Sequence, residues 1–254
     1  MLPVLLLARS TLLEARRSGL PWLALGLLAA ALGLAAFLSQ VAVTESREFQ
    51  AAFAAALLRA GAAFLLAAHV AASVVREAND TVLELALALP LSRSQYWLGK
   101  LCGYAAVGLA LAAACALPML LWAAPGSVAL WGASLAFELL LLGAATLFFA
   151  VTLASVVSAI AATAGFYLLA RSIAAIQLLA RGPLAEETWT QVVARGAVDA
   201  VALLLPRLDQ ATRSDWLLYG SPAAAAFGAA VGSLLVYTAL LAAAGLFDFN
   251  RRNL

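Results

Sequence analysis

Charge is what this chain has least of. Only 11% of its 254 residues are Asp, Glu, Lys or Arg, whereas 65% are hydrophobic and the mean hydropathy is +1.01. A soluble domain carries about 25% charged residues. A core formed by a chain of this length could not hide so much apolar surface from water, so a soluble fold is excluded. Histidine occurs once, at His69, too few for a Ser-His-Asp triad or a histidine-based zinc site. The two cysteines, Cys102 and Cys115, fall on opposite sides of one helix at ~100° per residue, which argues against a disulfide between them. Lys100 is the only lysine; every other basic residue is arginine. With so much alanine and leucine, this points to a GC-rich bacterial genome. No G-x4-G-K-[ST] loop is present, since Gly99-Lys100 lacks both the preceding loop and the following Ser or Thr. The chain is therefore expected to have no ATPase site, no catalytic, cofactor or metal site, and no nucleic-acid partner.

What the chain does have is long apolar runs. A bilayer crossing needs roughly 20 mainly apolar residues. Leu20–Val43, Phe53–Val75, Tyr96–Ala123 and Ala223–Phe247 meet that length singly. Val128–Ala170 is too long for one crossing and reads as a hairpin with its turn near Thr152–Ser158, although no Gly, Pro or charge marks it. The expectation is an all-α polytopic membrane protein, a single domain over residues 1–254 with six spans in contact with lipid. Residues 1–19 form an interfacial helix closed by Gly19, and Pro21 opens the first span. Six spans put both termini on one side. Arg9, Arg16, Arg17, Arg76, Arg93, Lys100, Arg251 and Arg252 then share that side, which the positive-inside rule assigns to the cytoplasm of a bacterial inner membrane.

Residues 181–220 form the extracytoplasmic segment between spans five and six. Glu187, Gln191, Arg195 and Asp199 recur at i, i+4, opposite a face of Trp189, Val192, Val193, Val201 and Leu204. That pattern is an amphipathic helix lying on a membrane surface or on the protein itself, stopped by Pro206.

The most informative stretch is REANDTVLELALALPLSRSQYWLGK, Arg76 to Lys100. Asn79 is placed as an N-cap. Glu77, Asp80 and Glu84 make an acidic stripe at i, i+3, i+7, and Val82, Leu85, Ala86 and Leu89 an apolar one. Pro90 ends this short helix. Ser92 and Gln95 then form a capping box, with Leu91 and Tyr96 as its hydrophobic staple. A short amphipathic helix, a corner and a new span make a lever from the cytoplasm into the bundle; the plainer alternative is an interfacial helix that tethers a loop.

This stretch resembles the cytoplasmic segment of type-2 ABC exporter permeases. The resemblance rests on Arg76, Glu77, Thr81, Glu84, Leu85, Leu87, Leu89, Pro90, Ser92, Arg93, Tyr96, Gly99 and Lys100. Within that group it is most similar to the maturation permeases of nitrous-oxide reductase and other multi-copper enzymes. Surface helix, six spans, large outer segment and basic tail repeat that layout. Asp80 departs from it, since the family usually has glycine there; an acid in a first helical turn is favourable in itself. The resemblance implies a half-transporter that pairs with a second copy of itself. Each copy would dock residues 76–95 on a separate ATP-binding subunit holding ATP and Mg. Glu77, Asp80, Thr81, Glu84 and Arg93 are the expected docking contacts.

Four polar residues fall inside spans. Arg59 is expected near the outer end of span two, with its guanidinium snorkelling to water. His69 reads as a polar contact within the bundle. Glu138 and Arg171 are placed to pair across spans four and five, or Glu138 sits near the outer interface. The group lines a translocation path or forms a structural pair. Cys115 and Met119 lie at i, i+4, a soft pair able to contact Cu(I), for which ordinary packing is the better explanation. A non-transporting membrane anchor or assembly factor for a metalloenzyme is the alternative to an exporter.

Overall fold

A computed structural model describes residues 2–41, 46–80, 92–181, 189–218, 220 and 224–251. All regular structure among them is helical: α1 (Leu2–Arg17), α2 (Leu20–Val41), α3 (Ser46–Asn79), α4 (Arg93–Ala116) with a 3₁₀ extension (Leu117–Leu121), α5 (Pro125–Leu153), α6 (Val156–Ala180), α7 (Trp189–Leu204), α8 (Leu208–Ala211), α9 (Asp215–Leu218) and α10 (Ala224–Arg251). Six of these, α2 to α6 and α10, are long and apolar enough to cross a bilayer. With no water in the hydrocarbon region, helices let the backbone satisfy its own hydrogen bonds.

The ends follow local chemistry. Ser92 Oγ accepts a hydrogen bond from the Gln95 backbone amide and the Ser92 backbone amide donates to Gln95 Oε1, so the capping box at the start of α4 is complete. The turn between α5 and α6 falls at Ala154, whose φ of 50° is left-handed. Glycine usually takes that conformation, which is why no sequence signal marked the corner. Ser155 caps α6.

Three boundaries differ from the sequence expectation. α3 begins at Ser46, absorbing most of the polar loop, and runs unbroken through Asn79. Asn79, expected as an N-cap, is therefore the last residue of α3. The last helix continues to Arg251, so the basic tail is partly helical. The lever itself, with Thr81, Glu84 and Leu91, lies outside the described residues.

α5 is the most buried span, packed against α3, α4, α6 and α10, while α2, α6 and α10 expose most of their apolar surface. α1 lies along α4. A Cβ on Gly99 would meet Leu7, and one on Gly103 would meet Thr11. These two glycines, i and i+4 on α4, let the helices approach closely. After α7 the chain turns inward: Leu208, Ala211, Trp216 and Leu217 of α8 and α9 are buried against α3, α5, α6 and α10.

Candidate functional site

Two polar nodes lie inside this apolar bundle. The first joins α3, α5 and α6. Arg59 and Glu138 form an ion pair at 2.5 Å with both side chains fully buried. The other terminal nitrogen of Arg59 donates to Ser134 Oγ at 2.9 Å, and the guanidinium sits 5.0 Å from the Trp131 ring centroid. Glu138 also faces Arg171 at 3.6 Å. Arg171, one-third exposed, donates to the Tyr167 hydroxyl and to Thr212 beside α8. The chain after α7 is thus tied to the node through Thr212.

The snorkelling assigned to Arg59 is overturned by its burial. α3 starts seven residues earlier than expected, so Arg59 lies about 20 Å from that end at ~1.5 Å per residue. Its charge is met by Glu138 and Ser134 inside the protein. Glu138 lies equally far along α5 and is likewise fully buried. Each carboxylate oxygen faces a different arginine, and two arginines against one glutamate leave the node formally cationic. Burial of such charges requires close partners.

The second node joins α1, α3 and α4 at the other end of the bundle. Glu77 accepts a hydrogen bond from the Tyr96 hydroxyl at 2.6 Å and forms an ion pair with Lys100. One turn further in, Ser73 donates to Glu14 of α1 at 2.8 Å, and Tyr104 donates to Ser73 at 3.0 Å. His69 packs edge-on to Tyr104, with ring centroids 6.3 Å apart, and its buried Nε2 has no hydrogen-bond partner among the described residues. Arg93 donates to the Phe249 and Asn250 carbonyls of α10, at 3.4 and 3.2 Å. A cation is favourable at such a helix C-terminus. Tyr96 stacks on Phe249, and Trp97 packs beside both Phe249 and Gly245.

Of the five residues assigned to docking, Glu77 faces inward, Arg93 caps α10 and Asp80 is exposed. Thr81 and Glu84 lie outside the described residues. Sequence reasoning missed Glu14, Ser73 and Tyr104. The i, i+4 glycines of α4 were the available signal that another helix, α1, comes close enough to deliver Glu14.

α7 presents its polar stripe to the end of α6. Asp199 accepts from Arg181 at 2.8 Å and from Gln177 at 3.0 Å, and Arg195 donates to the Ala180 carbonyl at 2.7 Å. The Arg181 hydrogen bond, followed by that of Gln177, holds the Asp199 carboxyl below its usual range. Trp189, Val192, Val193, Val201 and Leu204 remain exposed. No group of three or more His, Cys, Asp or Glu side chains able to hold a metal occurs among the described residues. Cys115 and Met119 are packed in the core.

Six apolar helices around buried ionic nodes define a multi-pass helical membrane protein. The family described as ABC-2 family transporter protein matches residues 33–180, more than half of the sequence. The chain belongs to that family: it is a membrane permease subunit of an ABC transporter. Membership implies an ATP-binding subunit as its partner. Comparison with curated proteins returns no significant match.

Proposed function

We propose that this chain is the transmembrane half of an ATP-driven exporter. Two copies pair in a bacterial inner membrane with all termini cytoplasmic. Each docks residues 76–95 on a separate subunit that binds ATP and Mg. The observation carrying the reading is that both helices flanking residues 81–91 are braced to the bundle. Glu77 locks the end of α3 to Tyr96 and Lys100 of α4, and Arg93 locks the start of α4 to α10. A displacement of the segment by ATP-driven closure then moves α3, α4 and α10 together rather than bending a loop. Because α3 also carries Arg59, the movement reaches the first node, which lines the translocation path. Similarity to the maturation permeases of multi-copper enzymes is part of this proposal.

The test is co-purification of the detergent-solubilised protein with the ATP-binding subunit encoded beside it. The wild type retains the ATPase, and Glu84→Arg releases it while leaving the helical content unchanged. If no ATPase is retained by folded wild-type protein, the exporter reading gives way to a non-transporting anchor or assembly factor.

A further inference from the structure

The corner where α1 turns into α2 encloses a cleft of about 380 Å³ against α4. That volume lies within the roughly 300–1,000 Å³ of small-molecule sites. Its origin is in the α4 sequence. Along one stripe of α4, Gly99 and Gly103 let α1 approach closely, but the next two positions are Val107 and Leu111. The two bulky side chains hold α1 and α2 away, and a wedge opens between three helices. Leu12, Ala15, Leu28 and Ala110 contribute to its walls, and every lining residue except Arg16 is apolar.

Arg16 is exposed, and among the described residues no carboxylate pairs with it. Arg17 is exposed beside it, and the start of α2 at Leu20 and Pro21 also lines the cleft. One site therefore combines an apolar wedge with a guanidinium that no carboxylate among the described residues pairs. It stands where an apolar span begins, the level at which lipid headgroups lie. An ionisable small molecule would leave the wedge's apolar length unmatched; a zwitterionic lipid brings an ammonium that competes with Arg16 for its own phosphate.

We propose that this cleft is a binding site for one anionic membrane phospholipid. An acyl chain lies along Leu28 and Leu111, and the phosphate headgroup meets Arg16. The lipid would fix the angle between α1 and α2. The inference is independent of the exporter reading, since it needs only a membrane and this corner.

The test is native mass spectrometry of delipidated, detergent-solubilised protein titrated with phosphatidylglycerol or phosphatidylethanolamine of identical acyl chains. The wild type retains one phosphatidylglycerol in preference to phosphatidylethanolamine by roughly fivefold, the effect expected of one arginine near an anionic headgroup. Arg16→Gln abolishes the preference, Ala110→Phe fills the wedge and abolishes retention of both lipids, and Arg9→Gln, on exposed α1 surface outside the cleft, leaves the preference intact. Equal retention of both lipids by the wild type overturns the proposal. So does a preference that survives Arg16→Gln, or retention that survives Ala110→Phe, or a preference that Arg9→Gln abolishes as fully as Arg16→Gln does.

Discussion

The two nodes place opposite charges in one bundle under different conditions. Arg59 and Glu138 are wholly desolvated. Lys100 and Glu77 are 6% and 18% exposed and lie beside the chain ends that enter and leave residues 81–91. Removing charges from water costs several kcal/mol per ion, and close pairing offsets it only when the geometry is good. The first node meets that cost with Ser134, Trp131 and a second arginine. The second has a milder cost, and its partners tie two successive helices together. A third pair marks the limit of the trend: Arg181 and Asp199 are 61% and 43% exposed, where an ion pair contributes little. Energetic weight thus falls from the interior of the bundle to α7, while proximity to residues 81–91 is greatest at the middle pair.

The largest effect is expected at the first node. Arg59→Ala leaves Glu138 buried with Arg171 as its remaining cationic partner and destabilises the protein by about 3–5 kcal/mol. Replacing both partners, Arg59→Met with Glu138→Leu, recovers most of that loss in thermal unfolding, and substrate-stimulated ATPase activity of the assembled transporter stays low. Recovery of both stability and activity would reduce the node to a structural pair.

Glu77→Ala strands Lys100 and the Tyr96 hydroxyl, costing about 1–3 kcal/mol. Its distinguishing sign is uncoupling: the ATP-binding subunit still co-purifies and hydrolyses ATP, but transport in proteoliposomes falls more than hydrolysis. A parallel fall in both would show that the clamp carries no motion.

Gly103→Val forces α1 off α4 by overpacking, for a loss of about 1–3 kcal/mol if the helix shifts only partly. Hydrogen exchange in α1 should accelerate relative to the wild type. Unchanged exchange would mean that Thr11 accommodates the added methyls and Glu14 keeps its place in the second node.

The smallest effect belongs to Asp199. Its folded pKa is depressed by Arg181 and Gln177, so its contribution is full above the ordinary carboxylate pKa, about 3.9. That contribution is lost as pH falls through the lower folded value. Hydrogen exchange in α7 should accelerate only below about pH 4, and Asp199→Asn should remove that acid step. A step near pH 6 would assign it to another group.

Local rules made much of this architecture readable. Gly19 and Pro21 mark the α1–α2 corner, Ser92 and Gln95 the start of α4, and Pro206 the end of α7, because each acts through atoms a few residues apart. The apolar runs gave six crossings for the same reason: hydrophobic length is additive along the chain. The α5–α6 turn was legible only by length, since Ala154 adopts a left-handed conformation without being glycine. The candidate site was half legible. Glu138 and Arg171 stood out as charges in apolar runs. The pairing of Arg59 with Glu138 joins residues 79 positions apart, and no local pattern encodes that.

Sequence alone determined that this chain lives in a bilayer and crosses it as helices. Composition and the length of its apolar runs are sufficient for those conclusions. Tertiary packing decided the rest. It turned Arg59 from a snorkelling side chain into half of a buried pair, drew Glu77 inward onto Tyr96 and Lys100, and laid α1 along α4 at Gly99 and Gly103. It also placed Thr212 beside Arg171. The physical reason is common to all four. A charge or a glycine states only what it requires, a counter-ion or a close neighbour, and the fold selects which distant residue supplies it.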